Sequence, residues 1–294
     1  MQDLFNHLIG EPLSFPFMQH ALLAVILIGI VAGVVGSYIV VRGMAFFADA
    51  LAHAVLPGVA IAYLSGGING PLLQGAFVMG GLSALVIGLL TRGGKLKEDT
   101  AIGIVFTTML ALGIGIMSIG GSRAVDLNHV LIGNILAIGD GDLAVIVVAG
   151  GVVLLLVAVF YKELLLNAFD PALAQALQLP GEGLRYLLLL MMALTIVISL
   201  QAVGVVLIAA LLVTPAAAAL LLTRRLHSMM LVAALIGAGG GVLGLFFSWH
   251  LNVAPSAAIV VTISLLFLVI FLLAPQRGLL WAHRQRSSAN SQPE

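Results

Sequence analysis

The sequence predicts an all-α polytopic membrane protein with about nine transmembrane helices. Of its 294 residues, 62% are hydrophobic and only 8% charged, with a mean hydropathy of +1.21. Soluble domains carry about 25% charged residues. The apolar residues fall in repeated runs of about 20, the length that crosses the hydrocarbon as a helix. The basic residues gather in the loops of one side when nine crossings are drawn. A transmembrane barrel would alternate apolar and polar residues with period two, and these runs do not. The formal net charge is zero, so nothing points to nucleic acid. Cysteine is absent, which excludes disulfides, thiolate chemistry and sulfur-ligated metals.

Residues 1–17 are expected outside the membrane. The first 20 residues carry Asp3 and Glu11 but no Lys or Arg, a poor signal-peptide start, so the first span is expected to be retained. The expected spans are 18–41, 44–64, 71–91, 100–118, 143–161, 185–201, 203–222, 229–248 and 257–273. Residues 187–222 contain no charge, too long a run for one crossing. A break at Gln201–Gly204 divides it into two helices joined by a tight turn. With the loop 92–99 (RGGKLKED) placed inside, the N-terminus lies outside and the C-terminus inside. Arg42, Arg92, Lys95, Lys97, Lys162, Arg185, Arg224, Arg225, Arg277, Arg284 and Arg286 then lie on the cytoplasmic side and Arg123 outside. Glycines within spans, notably Gly29, Gly33 and Gly36 and then Gly237, Gly239, Gly240, Gly241 and Gly244, let helix backbones approach closely. That is ordinary bundle packing, and some of these faces would also suit a second copy of the chain.

Two segments are neither span nor short loop. Residues 125–142 (VDLNHVLIGNILAIGDGD) carry Asp126, Asn128, His129 and Asn134, which suits a re-entrant or interfacial helix on the outer side. Residues 162–185 (KELLLNAFDPALAQALQLPGEGLR) lie on the cytoplasmic side. Asp170 is a good N-cap, and Pro171 fits the first helical turn. ALAQALQ forms helix readily, and Pro180–Gly181 stops it. A helix of roughly two turns at about 168–181 results, whose apolar face, Leu173 and Leu177, calls for a docking partner. The tail 276–294 ends in QRSSANSQPE, a composition typical of disorder.

Asp49 and His53 stand at i and i+4 on one face of the second span. They lie about 10 Å above Arg42 at helical rise, hence within the membrane. An ionised carboxylate there is costly unless paired, hydrated or metal-bound. Carboxylate oxygen and imidazole nitrogen suit a divalent transition metal such as Mn, Fe or Zn. The same pair also fits a structural hydrogen bond between helices, or a proton relay. Two ligands do not complete a metal site; other helices, another subunit or water must supply the rest. Pro57 and Gly58 follow one turn on. Pro57 removes the donor to the His53 carbonyl and kinks the helix, and Pro215, beside Thr214, is a second kink. His7, His20, His129 and His250 fall outside with Asp126, Asp140 and Asp142, either as solvated loop residues or as an outer funnel for cations. His227 and His283 read as interfacial. No phosphate-binding loop or HExxH motif occurs, so the chain is expected to have no ATPase site of its own.

The stretch RGMAFFADALAHAVLPGVA resembles the most specific motif of the permease subunits of zinc/manganese/iron ABC importers, the ABC-3 family. KEDTAIGIVFTTMLALG, VDLNHVLIGNILAIGDGDL, NAFDPALAQALQLP and AVGVVLIAALLVTPAAAALLL match further motifs in order. The resemblance covers roughly residues 20–275. KEDTAIGI, FDPALAQA and HAVLPG are closer to manganese- and iron-type members. His129 departs from the family pattern. The resemblance implies a type II importer architecture in a bacterial cytoplasmic membrane. Two permease chains, as a homodimer, would enclose a pathway. Two cytosolic ABC ATPases would dock below, and a metal-loaded extracytoplasmic binding protein above. By position, Asp49 and His53 match the family's metal-pathway pair. Asp170, Pro171, Leu173, Ala174, Leu177 and Gly181 match its coupling helix. No cofactor is implied, and the metal is the cargo. A proton-coupled secondary transporter would use the same pair without an ATPase, and a non-transporting scaffold would leave the intramembrane carboxylate unexplained.

Overall fold

The structure, a computed structural model, describes residues 10–67, 70–94, 96–119, 133 and 135–274. His7, Lys95, Arg123, Asp126, His129, His283 and the tail 276–294 therefore lie outside the described residues, as does most of the segment 125–142. After a short turn at Glu11–Leu13, the helices are α1 (Pro16–Val41), α2 (Ala45–Ala54), α3 (Leu56–Gly66), α4 (Leu72–Leu90), α5 (Glu98–Ile119) and α6 (Asp140–Val159). They continue as α7 (Tyr161–Phe169), α8 (Pro171–Ala176), α9 (Gly181–Leu222), α10 (Leu226–Leu251) and α11 (Pro255–Leu273). Among the described residues nine segments are long and apolar enough to cross a membrane, with α2–α3 counted as one and α9 as two.

α1 and α9 form the centre, packed on each other and on α10, while α2 and α4 close on α9. α5, α6 and α11 are peripheral: about a fifth or less of each span is buried, against two thirds or more for α1, α2–α3 and the first half of α9. Their exposed leucines and valines are what a helix bounded by lipid presents.

Small residues set the central spacing. A Cβ on Gly36 would strike the Leu212 carbonyl oxygen, one on Gly33 would lie 2.6 Å from the Ala233 backbone, and one on Gly29 2.7 Å from Ala238 N. Gly36→Ala must push α1 off α9. It is expected to destabilise the protein by about 1–3 kcal/mol, read as a lower Tm after purification. Gly239→Ala, which faces open space, serves as the control; equal melting of the two variants would contradict this packing.

At 42 residues, α9 would be about 63 Å long if straight. Gly204 breaks it, with φ 79° and ψ 171°, a backbone region open essentially to glycine alone. The carbonyl of Val203, at the break, accepts from Ser256 Oγ at 3.3 Å, and Gly133 packs backbone to backbone against Val203 and Gly204. The described end of the 125–142 segment is a short 3-10 turn, Ile135–Ala137, with Ile135 buried. Regular helix already resumes at Asp140, with Asp142 Oδ2 accepting from Gly139 N at 3.2 Å.

Candidate functional site

α2 is sided. Phe47, Ala48, Leu51, Ala52 and Ala54 are buried in the core, while Phe46, Asp49 and His53 line the opposite stripe. The Asp49 side chain is 45% exposed and that of His53 30%. Their contact is not the carboxylate–imidazole hydrogen bond that was one expectation: His53 Nδ1 lies 3.7 Å from Asp49 Oδ1 but 2.9 Å from the Asp49 backbone carbonyl. A carbonyl only accepts, so Nδ1 carries the proton and donates. In the neutral ring this leaves the Nε2 lone pair free. Orientation of one ring nitrogen by a backbone carbonyl is how metal-ligating histidines are held. The Asp49 carboxylate keeps its lone pairs. Both residues belong to one helix, so the pair ties no two helices together. From α5, the Phe106 ring meets His53 edge-on, with centroids 5.6 Å apart.

The expected kink after His53 takes the form of a break. α2 ends at Ala54, Val55 is a turn, and α3 starts at Leu56 with Pro57 in its first turn. The Pro57 ring removes the donor to the His53 carbonyl and crowds it, which favours a kink or break at this point. Gly58 is buried where α3 crosses α4; a Cβ there would strike the Gly75 carbonyl oxygen. Pro215 is buried within α9, where the non-helical residue is Gly204 and not Pro215.

At the Arg42 end of the bundle, Asp170 Oδ1 accepts from Leu173 N at 2.9 Å and caps α8, the six-residue helix Pro171–Ala176. Ala174 is buried, whereas Phe169, Leu173 and Leu177 are 59%, 45% and 57% exposed. Gln178 (φ 56°) turns the chain back towards Gly181, whose carbonyl accepts from Asn167 Nδ2 at 3.4 Å. The separate helix α7 before it was not anticipated: one helix at about 168–181 was expected, yet KELLLNAF forms its own and buries Leu164 and Asn167.

A polar groove of about 400 Å³, lined by Arg42, Glu98, Asn167, Gln175, Gly181, Glu182 and Arg185, joins this hairpin to the bundle. Arg185 Nε stands 3.1 Å from Glu98 Oε1, and its Nη1 donates to the Thr91 carbonyl at 3.3 Å. Arg92 pairs with Glu182 at 2.9 Å. Burial pulls the Arg42 guanidinium below the usual arginine range; Glu98 opposes that and Arg185 adds to it. None of these pairings follows a local spacing, so sequence reasoning missed them.

At the other end, His20 Nε2 lies 3.2 Å from Asp140 Oδ1. His250 Nδ1 turns back to the Phe246 carbonyl at 2.8 Å, and His227, exposed, lies at the opposite end of α10 beside Arg224 and Arg225. Among the described residues no group of three or more His, Asp or Glu side chains converges. Asp49 and His53 are thus two donors on the half-exposed side of α2, joined by no third His, Asp or Glu side chain among the described residues.

The sequence profile described as "ABC 3 transport family" matches residues 14–274. The manganese transport system membrane protein MntC of Listeria monocytogenes is 43% identical over 93% of this chain and 96% of its own length. The chelated iron transport system membrane protein YfeD of Yersinia pestis is 40% identical over 92% of this chain and 89% of its own. A chain in the structure of PsaBC from Streptococcus pneumoniae in complex with Fab is 41% identical. It superposes with a TM-score of 0.81 over 93% of this chain and 97% of that one. With its full span of transmembrane helices covered by the profile and by these relatives, the chain belongs to the ABC 3 transport family.

Proposed function

We propose that this chain is the membrane-spanning permease subunit of an ATP-driven importer of divalent transition metals, with manganese the first cargo and iron or zinc the others. Asp49 and His53 contact the ion in transit. The observation that carries this reading is their half-exposed placement on α2, with His53 Nδ1 turned to the Asp49 backbone carbonyl, which leaves Nε2 as the donor atom of the neutral ring. The names borne by MntC and YfeD support manganese and iron. In this reading the Arg42 end faces the cytoplasm, the N-terminus lies outside and the C-terminus inside. The exposed Leu173 and Leu177 of α8 dock an ABC ATPase, and a binding protein delivers the metal from outside. A second copy supplies the facing half of the pathway. ATP hydrolysis belongs to the ATPase subunit. A proton-coupled carrier would leave the exposed face of α8 without a purpose.

Two donors form a weak site, and a conducting site must release what it binds. At a bare N/O site zinc outcompetes manganese, so preference for manganese comes from the binding protein or from geometry. The test is the metal content of chelator-starved cells by inductively coupled plasma mass spectrometry, with permease, ATPase and binding protein co-expressed. Manganese is expected to rise with the wild-type permease and not with Asp49→Ala. A rise in zinc or iron alone would overturn the manganese preference. No change in any metal, with the subunits assembled, would overturn the transport reading.

A further inference from the structure

Phe46 is 47% exposed, whereas its neighbour Phe47 is fully buried. Phe46 and His53 are seven residues apart, so they share a helix face to within about 20°. Asp49 lies between them, about 4.5 Å along the axis from Phe46. The stripe on α2 therefore reads Phe46, Asp49, His53, ascending from the end that follows the turn at Arg42. Phe106 on α5 contacts both ends of this stretch, edge-on to Phe46 at 5.9 Å and edge-on to His53 at 5.6 Å. The rise from residue 46 to residue 53 is about 10 Å, so a ring that reaches both lies between them, level with Asp49. Phe46 is half-exposed, whereas Phe106 is partly buried and packs on the edge of the core. Phe106 sets an apolar edge against His53, and Phe46 stands on the stripe nearer Arg42 than Asp49.

We propose that Phe46, braced by Phe106, forms an aromatic seal on the Arg42 side of the Asp49–His53 pair. The seal holds the ion at the pair until the spans move. A hydrated divalent cation cannot pass two phenyl rings that offer it no oxygen or nitrogen, and hydrophobic constrictions close pores by excluding water. Phe106 has a second part: its edge contact with His53 restricts ring rotation and keeps Nε2 turned towards the open side. Because Phe46 and Phe106 sit on different helices, α2 and α5, a shift of one against the other opens the seal without altering either helix. This inference rests on the reading of Asp49 and His53 as the ion contacts.

The test uses the assembled importer in vesicles loaded with a manganese-quenched dye, with external Mn(II) and no ATP. Wild type stays tight. Phe46→Ala is expected to raise passive influx several-fold, Phe106→Ala to do the same from the other helix, and Phe46→Trp to restore tightness. Assembled Phe46→Ala and Phe106→Ala complexes that leak no more than wild type would overturn the seal. Asp49→Asn with His53→Ala, run with ATP in the same vesicles, separates the two ideas. If that variant loses uptake while the phenylalanine variants stay tight, only the seal falls. If it imports normally, the ion-contact reading falls, and the seal with it.

Discussion

Asp49→Asn combined with His53→Ala is expected to abolish metal uptake while leaving the permease folded and assembled. Neither side chain belongs to the buried core; they are 45% and 30% exposed on the one polar stripe of α2. The double substitution removes both donors. The packing it gives up is the edge contact of His53 with Phe106, worth about 0.5–1.5 kcal/mol. Against that stands a gain, since an amide is less costly inside a span than an ionised carboxylate. Thermal stability should therefore hold or rise while uptake disappears. The measurements are radiolabelled metal uptake and gel filtration of the purified assembly. Normal uptake in the double variant would remove Asp49 and His53 from the pathway.

Leu173→Glu combined with Leu177→Glu is expected to break association with the ATPase without unfolding the permease. Both leucines are exposed on α8, whereas Ala174 on the same helix is buried and seats it. The helix keeps its cap, because Asp170 Oδ1 and Leu173 N still meet. Apolar anchors at the centre of an interface are worth about 2 kcal/mol or more each, and a carboxylate in their place adds a desolvation cost. Co-purification with the ATPase should fall sharply, and uptake with it, at an unchanged Tm. Full association and normal uptake in this variant would mean that α8 is not the docking element.

How much of this was legible in the sequence depends on the range of the interaction. Long charge-free runs announced the nine spans because lipid demands about 20 apolar residues per crossing whatever lies around them. The break in the second half of the chain was legible for the same reason: residues 187–222 exceed one crossing, and Gly204 is the residue in the break able to take φ 79°. Asp49 and His53 stood out because charge is rare inside spans. The cap of α8 was legible because Asp170 and Leu173 are three residues apart. What was not legible is what packing decides. Helix α7 is short and only half apolar, so nothing in KELLLNAF separates it from a loop until Leu164 and Asn167 find a wall to bury against. His53 was read as facing the Asp49 carboxylate, but the nearer backbone carbonyl of the same residue takes its proton. Phe106 meets His53 from another span, and Arg42, Glu98 and Arg185 meet across three chain segments; no local spacing encodes either. The i, i+3 relation of Phe46 and Asp49 lies in the sequence, but which of Phe46 and Phe47 is exposed is decided by packing.

The measurement that tests the central claim most directly is metal uptake by the reconstituted importer under two alternative driving forces. Wild-type permease, ATPase and metal-loaded binding protein are placed in vesicles, with ATP supplied in one set and a proton gradient alone in the other. Uptake that requires ATP, survives collapse of the proton gradient and is lost with Asp49→Asn is the predicted result. Uptake driven by the proton gradient without ATP would contradict it and assign Asp49 and His53 to a proton-coupled carrier.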